Sequence, residues 1–158
     1  MTYIYIALGT NRGPRLQNIE NALKRLGEIF EIEKVSSFYL TEPVGIKGGW
    51  FVNCVAKCRT DKSPSSVLKE LLQIENKMGR IRGEKEKRTI DLDLLFYGES
   101  VIKEDDLVVP HPRIQERRFV LTPLCEIAPE LKHPLLGKEV KKILDELKDN
   151  LVVEKIER

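Results

Sequence analysis

The segment Arg88-Thr89-Ile90-Asp91-Leu92-Asp93-Leu94-Leu95-Phe96-Tyr97 alternates polar and apolar side chains and then becomes continuously apolar. This period-two pattern predicts a β-strand over residues 89–97. Successive side chains of a strand point to opposite faces, so Asp91 and Asp93 share one face and the leucines share the other. The apolar flanks predict a central strand. We therefore expect two carboxylates about 7 Å apart on one face of an otherwise buried strand.

The elements before this strand determine the fold class. Apolar, β-branched and aromatic residues predict three further strands, over residues 3–8, 29–39 and 51–58. Apolar residues at three- and four-residue spacing predict two helices, one after Pro14 and one that begins at Pro64. The resulting order, β-α-β-β-α-β, is the ferredoxin-like split βαβ core, an α+β arrangement with helices on one face of an antiparallel sheet.

The remainder of the chain predicts a C-terminal helical extension. Short helices are expected near residues 114–124 and 139–148, and residues 151–156 are expected to add an edge strand. We find no long linker, internal repeat or low-complexity segment. The sequence therefore predicts a single domain that spans residues 1–158.

The overall composition is that of an ordinary globular protein with balanced charge. Hydrophobic residues make up 41% of the chain, charged residues 33%, and the net charge is only +2. This balance gives no indication of a nucleic-acid or membrane partner. No apolar run approaches the roughly 20 residues of a membrane helix, and the N-terminus has no signal-peptide pattern. We expect a cytoplasmic monomer.

Basic residues flank the acidic strand. Arg80 and Arg82 directly follow the second predicted helix, and Arg88 directly precedes the strand. The planar guanidinium matches phosphate oxygens, while paired carboxylates suit Mg²⁺, which keeps waters and binds substrate phosphates. Acids and arginines that converge in this way outline a phosphoryl-transfer site. The alternative for the two aspartates is a solvent-exposed strand face without a metal, and the alternative for the arginines is a solvent-exposed charged loop.

A histidine between two prolines is the third candidate element. His111 lies in Pro110-His111-Pro112-Arg113, where the prolines restrict the backbone around the imidazole. The segment Arg117-Arg118-Phe119 follows shortly afterwards. A lone histidine is more often structural, and we interpret His133, which has no such setting, as structural.

Together these motifs resemble the hydroxymethyldihydropterin pyrophosphokinase family of folate biosynthesis. The resemblance runs from Tyr3 to about Gly137. Its strongest marks are residues 88–98 and Val109-Pro110-His111-Pro112-Arg113. Weaker marks follow the same order along the chain: residues 9–13, 36–45, 51–53, 74–75, 79–80 and 126–129.

The resemblance implies roles for particular residues. It implies transfer of pyrophosphate from ATP to 6-hydroxymethyl-7,8-dihydropterin, with release of AMP and with two Mg²⁺ ions bound by Asp91 and Asp93. The residues that it assigns to ATP are Glu75, Arg80, Arg88, His111 and Arg117. Those that it assigns to the pterin are Thr41, Glu42, Val44, Phe51, Asn53, Asp93 and Phe119. Arg80, Arg88, Asp91 and Asp93 are the expected catalytic residues.

The sequence departs from the family pattern before Arg88. Many members carry an aromatic residue and then Gly-Pro at this place, whereas this chain has Gly83-Glu84-Lys85-Glu86-Lys87. The resemblance therefore does not predict how this loop closes over ATP. The region around Asp106 matches loosely, and it leaves the adenine contacts unassigned.

Two other functions remain open on the residues alone. A metal-dependent nucleotidyl transferase or nuclease would use the same acidic pair, but it would need a long basic groove. RNA-recognition modules share the β-α-β-β-α-β order and stack bases on exposed aromatic residues of their central strands. In this chain, Tyr3 and Tyr5 of the first predicted strand are the candidates for such stacking. Against that reading, Asp91 and Asp93 would repel a phosphate chain in the absence of metal.

Overall fold

The computed structural model describes residues 1–44, 48–79 and 89–157. Its strands are β1 (Thr2–Thr10), β2 (Glu31–Val35), β3 (Tyr39–Thr41), β4 (Phe51–Thr60), β5 (Asp91–Tyr97), β6 (Ile102–Lys103), β7 (Val108–Val109) and β8 (Val153–Lys155). Its helices are α1 (Arg15–Ile29), α2 (Pro64–Lys77), α3 (Arg118–Ile127) and α4 (Val140–Glu146), with a short 3-10 helix at Ile114–Glu116. In the described part of the chain, no helix is long and apolar enough to span a membrane.

The main sheet is antiparallel. Its strand order is β5-β1-β4-β3-β8, β2 also pairs with β4, and β6 and β7 form a separate small ribbon. The predicted α+β class is confirmed. The expected C-terminal edge strand is present as β8, and the extension contains α3 and α4.

The second predicted strand, residues 29–39, is broken into β2 and β3. Ser36 donates its backbone N–H to Val55 O at 2.9 Å, and Ser36 Oγ accepts the Val55 N–H at 2.9 Å. A side-chain hydroxyl thus takes the ladder position of a backbone carbonyl, and the regular strand stops there. The observed order up to β5 is therefore β-α-β-β-β-α-β, one strand more than predicted.

Both faces of the sheet are covered, whereas the sequence predicted helices on one face. One apolar cluster, which includes Ile6, Leu26 and Leu71, joins the sheet to α1 and α2. The other, which includes Phe96 and Leu121, joins the opposite face to α3 and α4. The polar N-terminal end of β5 lies at the margin of this second layer, where the helices leave a cavity.

His133 is part of the second layer, as its structural interpretation requires. Its ring is 3% exposed and packs edge-on against Phe96, and its Nδ1 accepts the backbone N–H groups of Leu135 and Leu136 at 3.2 and 3.1 Å. Burial lowers the pKa of the imidazole. The folded chain therefore holds the neutral ring, and the unfolded chain gains a proton first as the pH falls.

This arrangement predicts a pH-dependent loss of stability. Because the pKa of His133 is lower in the folded state, the neutral ring stabilises the fold fully at pH values above the unfolded-state pKa of about 6.5. This stability is lost as the pH falls through the folded-state pKa. We expect the free energy of unfolding, measured with urea, to fall from about pH 7.5 to pH 5, and to fall less in His133→Asn, which keeps an acceptor. His111 titrates in the same direction, so some of the fall should remain. An equal fall in both proteins would exclude His133 as a titrating group.

Candidate active site

A cavity of about 360 Å³ opens where β1, β4 and β5 meet the N-terminal end of α3. Most of the sequence-predicted site residues line it: Thr41, Glu42, Val44, Phe51, Asn53, Asp91, Asp93, His111, Arg117 and Phe119. They come from distant parts of the chain. The antiparallel pairing of β1 with both β4 and β5 brings Asn53 and the two aspartates to one region, and α3 adds Phe119.

Small residues of β1 create room in front of the carboxylate pair. Gly9 is the register partner of Asp91, and Ala7 is the register partner of Asp93. All four residues line the cavity, and both aspartates are partly exposed. The carboxylates therefore share one face, as the period of the strand predicted, and that face opens into a cavity rather than into the core.

The donor set here suits a hard cation that brings its other ligands with it. Among the described residues there is no group of three or more histidine, cysteine, aspartate or glutamate side chains that could enclose a metal ion. Two carboxylates alone fit Mg²⁺, which demands oxygen ligands and commonly completes its shell with water and substrate phosphate.

A basic group lies beside the carboxylate pair. Arg117 Nη1 lies 3.9 Å from Asp93 Oδ2, and its guanidinium stands over the Phe119 ring at 5.6 Å from the centroid. Burial lowers the pKa of Arg117, and Asp93 opposes this shift. A guanidinium remains charged under such a shift. Arg117 thus places a positive charge at the edge of the acidic pair.

The imidazole of His111 is held in one orientation. Its backbone N–H donates to Leu95 O at 3.0 Å, and its Nδ1 accepts the Arg113 backbone N–H at 3.2 Å. Burial lowers the pKa of His111; Asp93 opposes the shift, while Arg117 and Arg113 add to it. With Nδ1 used as an acceptor, the neutral ring carries its proton on Nε2. The ring can then donate one hydrogen bond from Nε2.

The opposite end of the cavity is a slot with a fixed amide. Asn53 is 7% exposed and Thr41 is 1% exposed, and Asn53 Nδ2 donates to Thr41 Oγ1 at 2.6 Å. A Cβ atom built on Gly9 would clash with Asn53 Oδ1. The sequence analysis placed Gly9 just beyond the first predicted strand and gave it no role, whereas the structure extends β1 to Thr10. A glycine inside a strand often marks a close approach of this kind.

The amino-acid sequence of the chain matches the model of a known protein family. The family model described as 7,8-dihydro-6-hydroxymethylpterin-pyrophosphokinase (HPPK) matches residues 5–129. The chain belongs to this family. Family members transfer pyrophosphate from ATP to hydroxymethyldihydropterin in folate synthesis. Membership decides against the nuclease and RNA-recognition alternatives.

Curated relatives in the HPPK family cover most of the chain. The 2-amino-4-hydroxy-6-hydroxymethyldihydropteridine pyrophosphokinase of Synechocystis is 40% identical over 145 residues, which are 90% of this chain and 74% of the relative. The relatives of that name from Aquifex aeolicus and Haemophilus influenzae are 37% identical over 152 residues and 41% identical over 138. These alignments span 92% of both chains for Aquifex, and 85% of this chain and 86% of the relative for Haemophilus.

Solved structures support the fold of this HPPK-family chain. Plasmodium falciparum HPPK-DHPS matches with a TM-score of 0.75 at 16% identity, over 91% of this chain. The match covers 44% of the Plasmodium chain, so this chain spans less than half of that protein. At this identity the likeness concerns the fold alone.

The other three predicted ATP-binding residues are Glu75, Arg80 and Arg88, and of these only Glu75 is among the described residues. Arg80 and Arg88 lie outside the described residues, as does the charged loop between them. Glu75 is 4% exposed, and its Oε2 accepts the Leu92 backbone N–H at 2.8 Å on the other side of β5. Thr10 Oγ1 donates to Thr89 O at 2.6 Å. Both bonds hold the beginning of β5 in place, next to the carboxylate pair.

Proposed function

We propose that the cavity binds 6-hydroxymethyl-7,8-dihydropterin beside the triphosphate of ATP, and that the chain transfers the pyrophosphate group to the pterin hydroxymethyl oxygen with release of AMP. The observation that carries this proposal is the division of one cavity into two chemically different ends. One end has an aromatic slot with a fixed amide. The other has two carboxylates faced by Arg117 and His111.

The slot suits a flat heteroaromatic ring. Phe51 and Phe119 supply aromatic walls, and stacked or edge-on rings favour such contacts. The amide of Asn53 keeps an acceptor and a second N–H for the ring edge, while Thr41 fixes its orientation. The Glu42 N–H already donates to Val152 O at 2.9 Å, so we assign its carbonyl to the pterin, together with backbone groups of Thr41 and Val44.

The other end suits the phosphates. Mg²⁺ held by Asp91 and Asp93, which we propose as two ions with ATP, would neutralise triphosphate charge and polarise phosphoryl oxygens. Arg117 and the Nε2–H of His111 would hydrogen-bond phosphate oxygens, and we keep Arg80, Arg88 and Glu75 as further proposed ATP residues. Asp93, whose carboxylate lies 3.9 Å from Arg117, is also a proposed contact of the pterin hydroxymethyl group.

The reaction follows from bringing these two ends together. The hydroxymethyl oxygen forms a bond to the β-phosphorus in line with the departing AMP oxygen, and the bond from the β-phosphorus to that oxygen breaks. The hydroxyl proton is lost to solvent or to a phosphate oxygen. The protein forms no covalent bond in this scheme, so its contribution is positioning and fixed charge.

The assay for this proposal is product identification. With ATP, Mg²⁺ and the pterin alcohol, we expect AMP and the pterin diphosphate ester in equal amounts, and neither product without Mg²⁺. Formation of ADP, or AMP release that does not need the pterin, would contradict it. We further propose that residues 1–158 form one domain and that the protein is a cytoplasmic monomer. Its proposed ligands are small molecules only. Light scattering at the protein concentration of the assay measures the mass of the particle and so tests the monomer.

Removal of the Phe119 ring is expected to weaken pterin binding selectively. Phe119→Ala loses an aromatic contact of about 0.5–1.5 kcal/mol and buried apolar area in addition, so the pterin Kd should rise about tenfold. Phe119→Leu should lose less, because it keeps apolar contact. Calorimetric titration with the pterin, and separately with ATP and Mg²⁺, measures both affinities. An equal loss for both ligands would indicate that Phe119 does not belong to the pterin slot.

A further inference from the structure

The C-terminal segment, residues 149–156, lies beyond residues 5–129 that match the family model, yet its strand β8 pairs with β3, which carries the cavity residue Thr41. No site residue was predicted within it. It is hydrogen-bonded to two elements that carry predicted pterin-binding residues: the end of β3, with Thr41 and Glu42, and the beginning of α3, with Phe119. We call these two elements the Thr41–Val44 wall and the α3 wall.

The first attachment is to the wall made by β3. β8 pairs with β3 in antiparallel register, with Val153 opposite Thr41. One residue further on, the Glu42 N–H donates to Val152 O at 2.9 Å, and the Val152 N–H donates to Glu42 Oε1 at 3.0 Å. Glu42 is therefore held by its backbone and by its side chain, immediately after buried Thr41.

The second attachment is to the first residue of α3. Arg118 Nε donates to Asp149 Oδ1 at 2.8 Å, and its Nη2 donates to Leu147 O at 3.0 Å and to Asp149 O at 3.2 Å. Asp149 Oδ1 also accepts the Leu151 N–H at 3.1 Å, which turns the chain toward β8. Arg118 lies in the chain between the cavity residues Arg117 and Phe119.

The segment therefore spans from one wall of the slot to the other. Two residues, Asn150 and Leu151, separate Asp149, which is bonded to α3, from Val152, which is bonded to Glu42. The side chain of Ile156 packs against the core and its N–H donates to Phe38 O at 2.9 Å, which fixes the far end. A short connection fixed at both ends restricts how far the two walls can separate.

We propose that residues 149–156 form a positioning strap that sets the separation of the Thr41–Val44 wall from the α3 wall, and so sets pterin affinity. This inference rests on the proposed function of the cavity. Asp149 and Arg118 act as positioning residues and do not touch substrate. When the strap is released, the pterin itself must order the wall, and that ordering weakens binding. The carboxylate pair is held by β5 and is not affected.

The test compares Asp149→Ala with Asp149→Asn. Asparagine keeps the Oδ1 acceptor for Arg118 Nε and Leu151 N–H, whereas alanine removes it. We expect Asp149→Ala to raise the pterin Kd and KM about five- to tenfold, with kcat at saturation and the ATP Kd unchanged. Asp149→Asn should stay near the wild type. Amide exchange at Glu42 should be faster in Asp149→Ala and normal in Asp149→Asn.

A second variant removes the other partner of the hydrogen bond between Arg118 and Asp149. Arg118→Met removes the guanidinium and keeps an apolar stem, and it should reproduce the selective loss of pterin affinity. The double variant with Asp149→Ala should be little worse than either single change, because both break one attachment. This pattern separates the loss of the strap from general destabilisation.

The outcomes distinguish a failure of the strap proposal from a failure of the proposed function of the cavity. A wild-type protein that binds the pterin, together with unchanged pterin affinity in Asp149→Ala and Arg118→Met, would overturn the strap alone. Equal losses for pterin and ATP would also overturn it, since they indicate a purely structural role. A wild-type protein that does not bind the pterin would overturn the proposed function and the strap together.

Discussion

Asp91→Asn is expected to lower kcat by about 10²- to 10³-fold, the effect typical of losing one preorganised electrostatic element. The substitution keeps the size of the side chain and removes its charge, so Mg²⁺ loses one of the two carboxylates that face the cavity. Pterin affinity should change little, because Asn53, Thr41 and the two phenylalanines are untouched. Steady-state rates at saturating ATP, pterin and Mg²⁺ measure the loss.

The matched control for this prediction is Asp105→Asn. Asp105 is exposed and lies between β6 and β7, and it is not among the residues that line the cavity. It should keep normal turnover while it makes the same change of net charge. If Asp91→Asn kept a near-normal rate at saturating Mg²⁺, or if Asp105→Asn lost as much, Asp91 would not have the metal-binding role that we propose.

Gly9→Ala is expected to disable the pterin slot with little change to the strand around it. The added methyl group would clash with Asn53 Oδ1, so the buried amide has to move and its bond to Thr41 is strained or lost. Overpacking of this kind typically costs about 1–3 kcal/mol. We expect at least a tenfold rise in pterin Kd and a measurable fall in the free energy of unfolding by urea, since about 1.4 kcal/mol corresponds to tenfold.

Gly49→Ala supplies the comparison for this substitution. Among the described residues, no atom other than those of its chain neighbours lies within 4 Å of a Cβ built on Gly49, and its φ needs no left-handed conformation. The same methyl group should therefore be tolerated there. Normal pterin affinity in Gly9→Ala would mean that Asn53 can shift without consequence, and that its fixed position is not a requirement of the slot.

Periodicity was sufficient to predict the carboxylate pair. The alternation around Asp91 and Asp93 depends only on the two-residue repeat of a strand, which tertiary packing does not alter. The same reasoning explains why Leu92 lies in the core while its neighbours face the cavity. The α+β class followed similarly, because each helix and strand carried its own local pattern.

Other features depend on partners distant in sequence, which local patterns do not reveal. The break at Ser36 arises because its hydroxyl bonds the backbone of Val55. The closeness of Gly9 and Asn53 arises because β1 and β4 pair in that register. Covering of the second face by α3 and α4 is equally a matter of tertiary packing.

Glu75 is a predicted ATP-binding residue that the structure places away from the cavity lining. Its match to the family suggested an ATP contact, whereas the structure places its carboxylate under β5, where it accepts the Leu92 N–H. The contact with ATP stays a prediction.

The most direct test of pyrophosphate transfer follows the α-phosphate and the γ-phosphate of ATP separately through the same reaction. ATP labelled in one sample at the α-phosphate and in another at the γ-phosphate is incubated with the pterin alcohol, Mg²⁺ and the protein, and the products are separated. Pyrophosphate transfer predicts that the α label appears in AMP and the γ label appears in the pterin ester, at equal rates. A γ label released as inorganic phosphate, or an α label found in ADP or joined to the pterin, would contradict it.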